Sequence, residues 1–388
     1  MPDRVYLDWN ATAPLRIEAR EAMAAAWDLC GNPSSVHAEG RHARRVIEEA
    51  RISVAGAVGA RPQNVVFVSG GTEANALALT PGSRLGSGLA VERLLVSAIE
   101  HPSVLAGGRF PPEAIATVDV TSSGVLDLDR LRAMLAGGAP ALVSVMLANN
   151  ETGALQPVAE VAEIAHEAGG LLHIDAIQAF GKIPFDIKEM CADIVTLSAH
   201  KVGGPKGVGA VILAEGLLGL RPLLRGGGQE LGRRAGTENV AGIAGFGAAA
   251  KAAMSALEGD AIRLEGLRTR LENGLRQASG AIVFSHDVPR LPNTTLFTVP
   301  GLKAETAVIG FDLAGIAVSS GSACSSGRVQ PSHVVEAMGF GPEIAQGAVR
   351  LSLGWSTSNA DIDRCLEAWH RLKGTLLKGS DETLIERF

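Results

Sequence analysis

Two short stretches decide how this chain is read: Leu172-His173-Ile174-Asp175-Ala176-Ile177-Gln178 and, 26 residues after Asp175, Lys201 in Ser198-Ala199-His200-Lys201. Each closes an apolar run, residues 171–174 and 194–197, of the length and β-branched content of a buried strand. Polar residues just beyond such strands face the ligand crevice of an open α/β sheet. An acid at one strand end and a lysine after the next suit pyridoxal phosphate. The carboxylate keeps the pyridine nitrogen protonated, which makes the ring an electron sink, and the lysine forms the Schiff base with the aldehyde. Taken alone, the same pair also describes a solvated surface ion pair, so the neighbouring segments have to decide.

Working outward, further strands are expected at 65–69, 94–98, 141–147 and 208–213, separated by Ala-rich amphipathic stretches, which is the pattern of a largely parallel sheet covered by helices. Their polar ends are Ser69-Gly70-Gly71-Thr72, Glu100-His101 and Asn149-Asn150, so five separated segments converge on one crevice. The first opens a helix at Glu73; backbone N–H groups there, with Gly71 and Thr72, would cradle a phosphate, and Ser198 and His200 add side-chain donors. A plain turn is the alternative. His101 precedes Pro102, which fits the first position of a helix and puts the imidazole at the crevice mouth, able to stack on a cofactor ring and move protons. Asn149-Asn150-Glu151-Thr152-Gly153 offers an amide to a cofactor hydroxyl or substrate, or is simply a turn. Arg350 interrupts the apolar run Ala348-Val349-Arg350-Leu351-Ser352-Leu353; it either forks onto a substrate carboxylate or faces solvent from an edge strand.

The four cysteines, Cys30, Cys191, Cys324 and Cys365, are far apart and form no C-x-x-C pair or zinc spacing, which fits a reduced, cytoplasmic chain. Cys324 lies among tiny residues, Ser319-Ser320-Gly321-Ser322-Ala323-Cys324-Ser325-Ser326-Gly327-Arg328, in a loop expected to be mobile with an accessible thiol. The other three sit in helix-like or apolar surroundings and are expected to be inert. With 388 residues, 46% of them hydrophobic, the chain can bury a sizeable core and supports two domains. Its net charge of −6 disfavours nucleic acid and anionic membranes, and 10 Phe, 4 Trp and 1 Tyr are too few for base-stacking platforms. No signal peptide and no run of apolar residues long enough to span a membrane is visible. A charged helical run near 257–277 is expected to begin the second domain, with strands at 281–284, 293–297, 316–319 and 349–353 and a closing helix at 360–373. Two motifs are decoys. Gly245-Phe246-Gly247-Ala248-Ala249-Ala250 fits a loose dinucleotide pattern with no strand before it, and Ser198-Ala199-His200-Lys201 fits S-x-x-K with no K-T-G or S-D-N partner.

Together these motifs, in order from Tyr6-Leu7-Asp8 to Arg350-Leu351-Ser352-Leu353, resemble the cysteine desulfurases of the NifS/IscS type in the class V aminotransferase family. The resemblance implies an α/β, fold type I (aspartate aminotransferase-like), PLP-dependent transferase with a mostly parallel central sheet and a smaller α+β domain. The large domain would span residues 13–255, and residues 1–12 and 256–388 would form the small one carrying the cysteine loop. It implies Lys201 as the Schiff-base lysine, Asp175 on the pyridine nitrogen, Gln178 near the ring hydroxyl, His101 over the ring, and Gly71, Thr72, Ser198 and His200 on the phosphate. Thr237, in Arg233-Arg234-Ala235-Gly236-Thr237-Glu238-Asn239, would reach the phosphate of a neighbouring subunit, so a homodimer is implied. Asn150 and Arg350 would hold the substrate, with Asn32 of Gly31-Asn32-Pro33-Ser34-Ser35 contributing. The implied reaction turns L-cysteine into L-alanine and leaves a persulfide on Cys324, whose sulfur passes to an iron–sulfur scaffold or other acceptor protein. No resident metal is implied, although the Cys324 thiolate offers a transient ligand to an iron–sulfur cluster. The stretch 221–239 looks most like the nitrogen-fixation branch. Selenocysteine lyase or small-amino-acid aminotransferase activity is the alternative within the same fold.

Overall fold

The computed structural model describes residues 4–321 and 330–377. Seven strands form its central sheet in the order Val65–Val68, Gly209–Leu213, Ile194–Ser198, Leu171–Asp175, Ala141–Met146, Arg93–Ser97, Ile115–Val118. Gly209–Leu213 pairs antiparallel with both neighbours, and every pairing from Ile194–Ser198 to the far edge is parallel. The three central strands are buried along their whole length, as uninterrupted apolar runs are when helices cover both faces of a sheet. Each strand expected from the sequence in this region lies within one residue of its observed end. Ile115–Val118 was not expected: it is an edge strand of four residues with only Val118 buried, too short and too exposed to stand out as an apolar run.

A second, antiparallel sheet has the order Ile282–Val283, Thr294–Thr298, Val349–Ser352, Ser319–Ser320. The strand Val5–Tyr6 pairs in parallel with Ile316–Ala317, so the beginning of the chain joins its later part. Val5 and Leu7 share a hydrophobic core there with Leu271, Phe297, Phe311 and Trp369, and the Trp369 ring meets Phe297 edge-on at 5.3 Å.

The charged run 257–277 does not open a new element. It is the second half of one 40-residue helix, Val240–Ser279. The first half hides from pattern reading because it is covered on several sides by the helices Ile17–Trp27 and Ala38–Gly56 and needs no polar stripe. Phe246, Ala249 and Ala253 enter the core beneath the central sheet, whereas Leu264, Leu271 and Leu275 enter the second core. The glycines of the dinucleotide-like decoy are packing devices: a Cβ at Gly247 would stand 2.5 Å from the Ala50 Cα. This helix is long and apolar enough to cross a membrane by composition alone, yet it supplies the shared spine of both cores.

Candidate active site

Asp175, Lys201, His101, Asn150 and Gly71 all stand at or just beyond the carboxyl ends of strands of the central sheet, which is where an open α/β sheet leaves a crevice. There they line one cavity of about 270 Å³, joined by Thr72, Gln178, Ser198, His200 and Arg350. Thus ten of the residues singled out in the sequence share one space. The helix Gly71–Ala78 opens onto this cavity with its first turn of N–H groups, and Ser198 and His200 line the same space. Gly71 packs closely here: a Cβ there would meet the Ile177 Cδ1 at 2.5 Å, so that side chain would have to shift.

Asp175, which lines the same cavity, is only 5% exposed. One carboxylate oxygen, Oδ1, accepts the Ile177 N–H (3.0 Å); the other, Oδ2, accepts from the Asn75 Nδ2 (2.9 Å). Burial pushes its pKa up, opposed by these two donors and by the nearby His101 and Lys201. His101 is the cap of the short helix Pro102–Leu105, as its position before a proline suggested, and its Nδ1 accepts the Ser103 N–H at 3.1 Å. Burial lowers its pKa, Asp175 opposes that, and the charges of Lys201 and His333 add to it, so the imidazole is held toward its neutral form. His200 is lowered to about 4 by burial and by Lys201, Lys206 and Lys182.

Lys201 Nζ donates to the backbone carbonyls of Asn10 (2.6 Å) and Ala11 (2.9 Å). Asn10 is a hub that the sequence did not reveal. Its carbonyl also accepts from Gln178 Nε2 (2.9 Å), its Oδ1 from Lys182 Nζ (2.8 Å), and its own amide donates to Thr294 Oγ1 (2.9 Å). Lys182 also donates to Gln178 Oε1 at 2.7 Å, and burial beside Lys201 and Arg350 drives its pKa well below the usual lysine range.

Arg350 belongs to a strand with partners on both sides and is 2% exposed, so the solvent-facing alternative is corrected. It donates to Asp8 Oδ1 (2.8 Å) and to the Asn150 carbonyl (3.1 Å), while its buried Nε has no partner among the described residues. The turn reading of 149–153 also holds: Asn149 Oδ1 accepts the N–H groups of Glu151 and Thr152, which leaves Asn150 to the cavity.

The chain matches the model of the family described as aminotransferase class-V over residues 5–365. The chain belongs to the class V aminotransferases. It is 44% identical over 372 residues to a cysteine desulfurase of Cereibacter sphaeroides, covering 94% of each chain. It is 38% identical to the cysteine desulfurase IscS of Dictyoglomus turgidum, covering 96% of this chain and 95% of that one. Among solved structures it is similar to a NifS-like protein from Rickettsia africae, with a TM-score of 0.87, 36% identity, and coverage of 96% of this chain and 100% of the other. The fold is therefore that of the fold type I PLP enzymes, and this class V aminotransferase is a PLP-dependent enzyme.

The donor set of the cavity fits that cofactor. Helix N–H groups with Ser198 and His200 suit a phosphate, and the same cavity holds a buried acid, Asp175, and an amine, Lys201. Three residues drawn from the sequence lie elsewhere. Asn32 is exposed and uses its Oδ1 to accept the Ser34 N–H (2.9 Å). Thr237 is exposed and lines a separate cavity of about 250 Å³ with Ser69, Gly236 and Asn239. Cys324 and most of its loop lie outside the described residues. The other cysteines divide: Cys365 is buried with its thiol pushed up to about 12, but Cys30 and Cys191 are exposed, so burial does not account for the inertness expected of these two. Cys30 follows the end of the helix Ile17–Trp27, and Cys191 takes a positive φ of 49° in a turn, so apolar neighbours in sequence did not translate into burial.

Proposed function

We propose that this enzyme is a cysteine desulfurase that converts L-cysteine into L-alanine and takes the sulfur onto Cys324. The observation that carries the reading is the cavity itself, where Lys201, Asp175, His101 and a partly unsatisfied buried Arg350 meet; the names of relatives at 38% and 44% identity support it. When bound, the cofactor supplies the electron sink. Lys201 would carry it, Asp175 would face the pyridine nitrogen, Gln178 and Asn150 its ring hydroxyl, and the Gly71–Ala78 helix start with Thr72, Ser198 and His200 its phosphate. Arg350 binds the substrate carboxylate, for which its orphaned Nε is a ready donor. Lys201 or the neutral His101 takes the Cα proton and returns protons to the carbon skeleton. The Cys324 thiolate attacks the substrate sulfur: an S–S bond forms, the substrate C–S bond breaks, and alanine leaves behind a persulfide.

In this reading residues 13–255 form the cofactor domain, and residues 1–12 with 256–388 the smaller domain. The enzyme is cytoplasmic and acts as a homodimer, in which the exposed Thr237 reaches the cofactor phosphate of the partner. The persulfide passes to an iron–sulfur scaffold, in a branch dedicated to nitrogen fixation. L-Cysteine supplied to the purified enzyme with a thiol reductant should yield one alanine for each sulfide; pyruvate with ammonia in place of alanine would overturn the desulfurase reading in favour of β-elimination, and 3-mercaptopyruvate would overturn it in favour of transamination. Replacing Arg350 with Lys keeps the charge but loses the planar fork, so KM for L-cysteine is expected to rise roughly 10- to 100-fold with a smaller change in kcat. Steady-state kinetics check this, and an unchanged KM would remove Arg350 from substrate binding.

A further inference from the structure

Behind Asp175 and His101 runs a chain of hydrogen bonds whose every proton has one possible position. Because the Ser103 N–H donates to His101 Nδ1, that nitrogen carries no proton, and the neutral ring holds its proton on Nε2. Ser103 Oγ, 2.8 Å from the same Nδ1, must therefore donate to it. Asn75 Nδ2 lies 2.9 Å from both Ser103 Oγ and Asp175 Oδ2 and gives one hydrogen to each. Its Oδ1 then accepts from Thr196 Oγ1 at 2.6 Å. With its proton spent, the Thr196 hydroxyl accepts from His173 Nε2 (3.1 Å), which leaves His173 Nδ1 to accept from Ser144 Oγ (2.7 Å). Asn75, Ser144, His173 and Thr196 are all 0% exposed, so no water competes for the bonds among these four. His173, lowered to about 3 by burial, stays neutral and keeps the direction of the chain.

We propose that Asn75 is a positioning residue that holds Asp175 as an anion and His101 as the Nε2–H imidazole at once, its amide locked in orientation by Thr196, His173 and Ser144. The inference rests on the reading that Asp175 and His101 serve the cofactor, but the hydrogen bonds that carry it are independent of the substrate. A turned amide would set its oxygen against the carboxylate of Asp175 and draw the Ser103 hydroxyl proton away from His101. Ionised and titratable groups facing Asp175 are Glu100, His101 and Lys201; those facing His101 are Asp175, Lys201 and His333.

The test is the protonation midpoint of each group in the full-length, cofactor-free protein, read by carboxyl ¹³C shifts of labelled aspartate and ring ¹⁵N shifts of labelled histidine. Asn75→Ala should raise the Asp175 midpoint by about one pH unit, the loss of one hydrogen bond to a charged acceptor. Thr196→Val, nearly isosteric, frees the amide to turn and should move the same midpoint upward, whereas Thr196→Ser keeps the hydroxyl and should match the wild type. Ser103→Ala removes a donor that favours neutral His101, so the His101 midpoint should rise while that of Asp175 stays put. If Asn75→Ala fails to fold, Thr196→Val with its serine rescue decides. An Asp175 midpoint within about 0.2 unit of wild type in the folded variants overturns the proposal. Because the midpoints are read without substrate, shifted midpoints in an enzyme inert toward cysteine would refute the desulfurase reading alone.

Discussion

Replacing Lys201 with alanine is expected to lower turnover of L-cysteine by about 10³-fold or more while the protein remains folded. The side chain ends in an amine bonded to the carbonyls of Asn10 and Ala11, both on the short segment that runs in from Val5–Tyr6. Its loss opens space in a cavity already lined by polar groups and removes no part of either hydrophobic core, so the cost to stability is small. Lys201→Arg should be as inactive as the alanine variant. A guanidinium keeps the charge, but it neither gives up its proton near neutral pH nor offers a nucleophilic amine. Alanine release measures the loss, and a melting temperature within a few degrees of the wild type separates chemistry from unfolding. Turnover within tenfold of wild type would remove Lys201 from its assigned role.

Asp175→Asn is expected to lower kcat by about 10³-fold, and this variant also destabilises the protein. The wild-type carboxylate accepts on both oxygens, from Ile177 N–H and from Asn75 Nδ2. An amide in its place accepts on one side only and turns its own NH₂ toward the other donor, leaving buried donors face to face at a cost of roughly 1–3 kcal/mol. The larger effect is electrostatic, because a neutral amide no longer favours a protonated pyridine nitrogen beside it. Thermal unfolding should show the moderate loss, and single-turnover rates at full cofactor occupancy the large one. A variant with wild-type kcat would mean that Asp175 is only a structural acceptor.

Much of this site was legible because its strands are uninterrupted apolar runs, and the polar residue after such a run has few places to go. Asp175, Lys201, His101 and Asn150 were found in that way, and the sheet brings them together. Asn10, Asn75, Ser103 and Lys182 were not, since their importance lies in partners far away in the chain. Asn10 meets Lys182 and Lys201 only after the N-terminal segment has crossed to the central sheet, and Asn75 meets Thr196 across 121 residues. A helix interior containing Glu73-Ala74-Asn75 gives no local sign that one of its side chains points under the cofactor site. The long helix Val240–Ser279 was misread for a different reason. Pattern reading needs a polar face, and residues 240–253 have almost none because two helices cover them. Cys30 and Cys191 likewise show that apolar neighbours in sequence do not establish burial.

Cys324→Ala tests the desulfurase account most directly. Wild-type enzyme mixed with a stoichiometric amount of L-cysteine and no reductant should yield alanine and gain a single sulfur atom, visible by mass spectrometry as a persulfide on the peptide containing Cys324. The Cys324→Ala protein should bind cofactor normally and form neither persulfide nor alanine. Alanine and sulfide released by that variant at the wild-type rate would contradict the account.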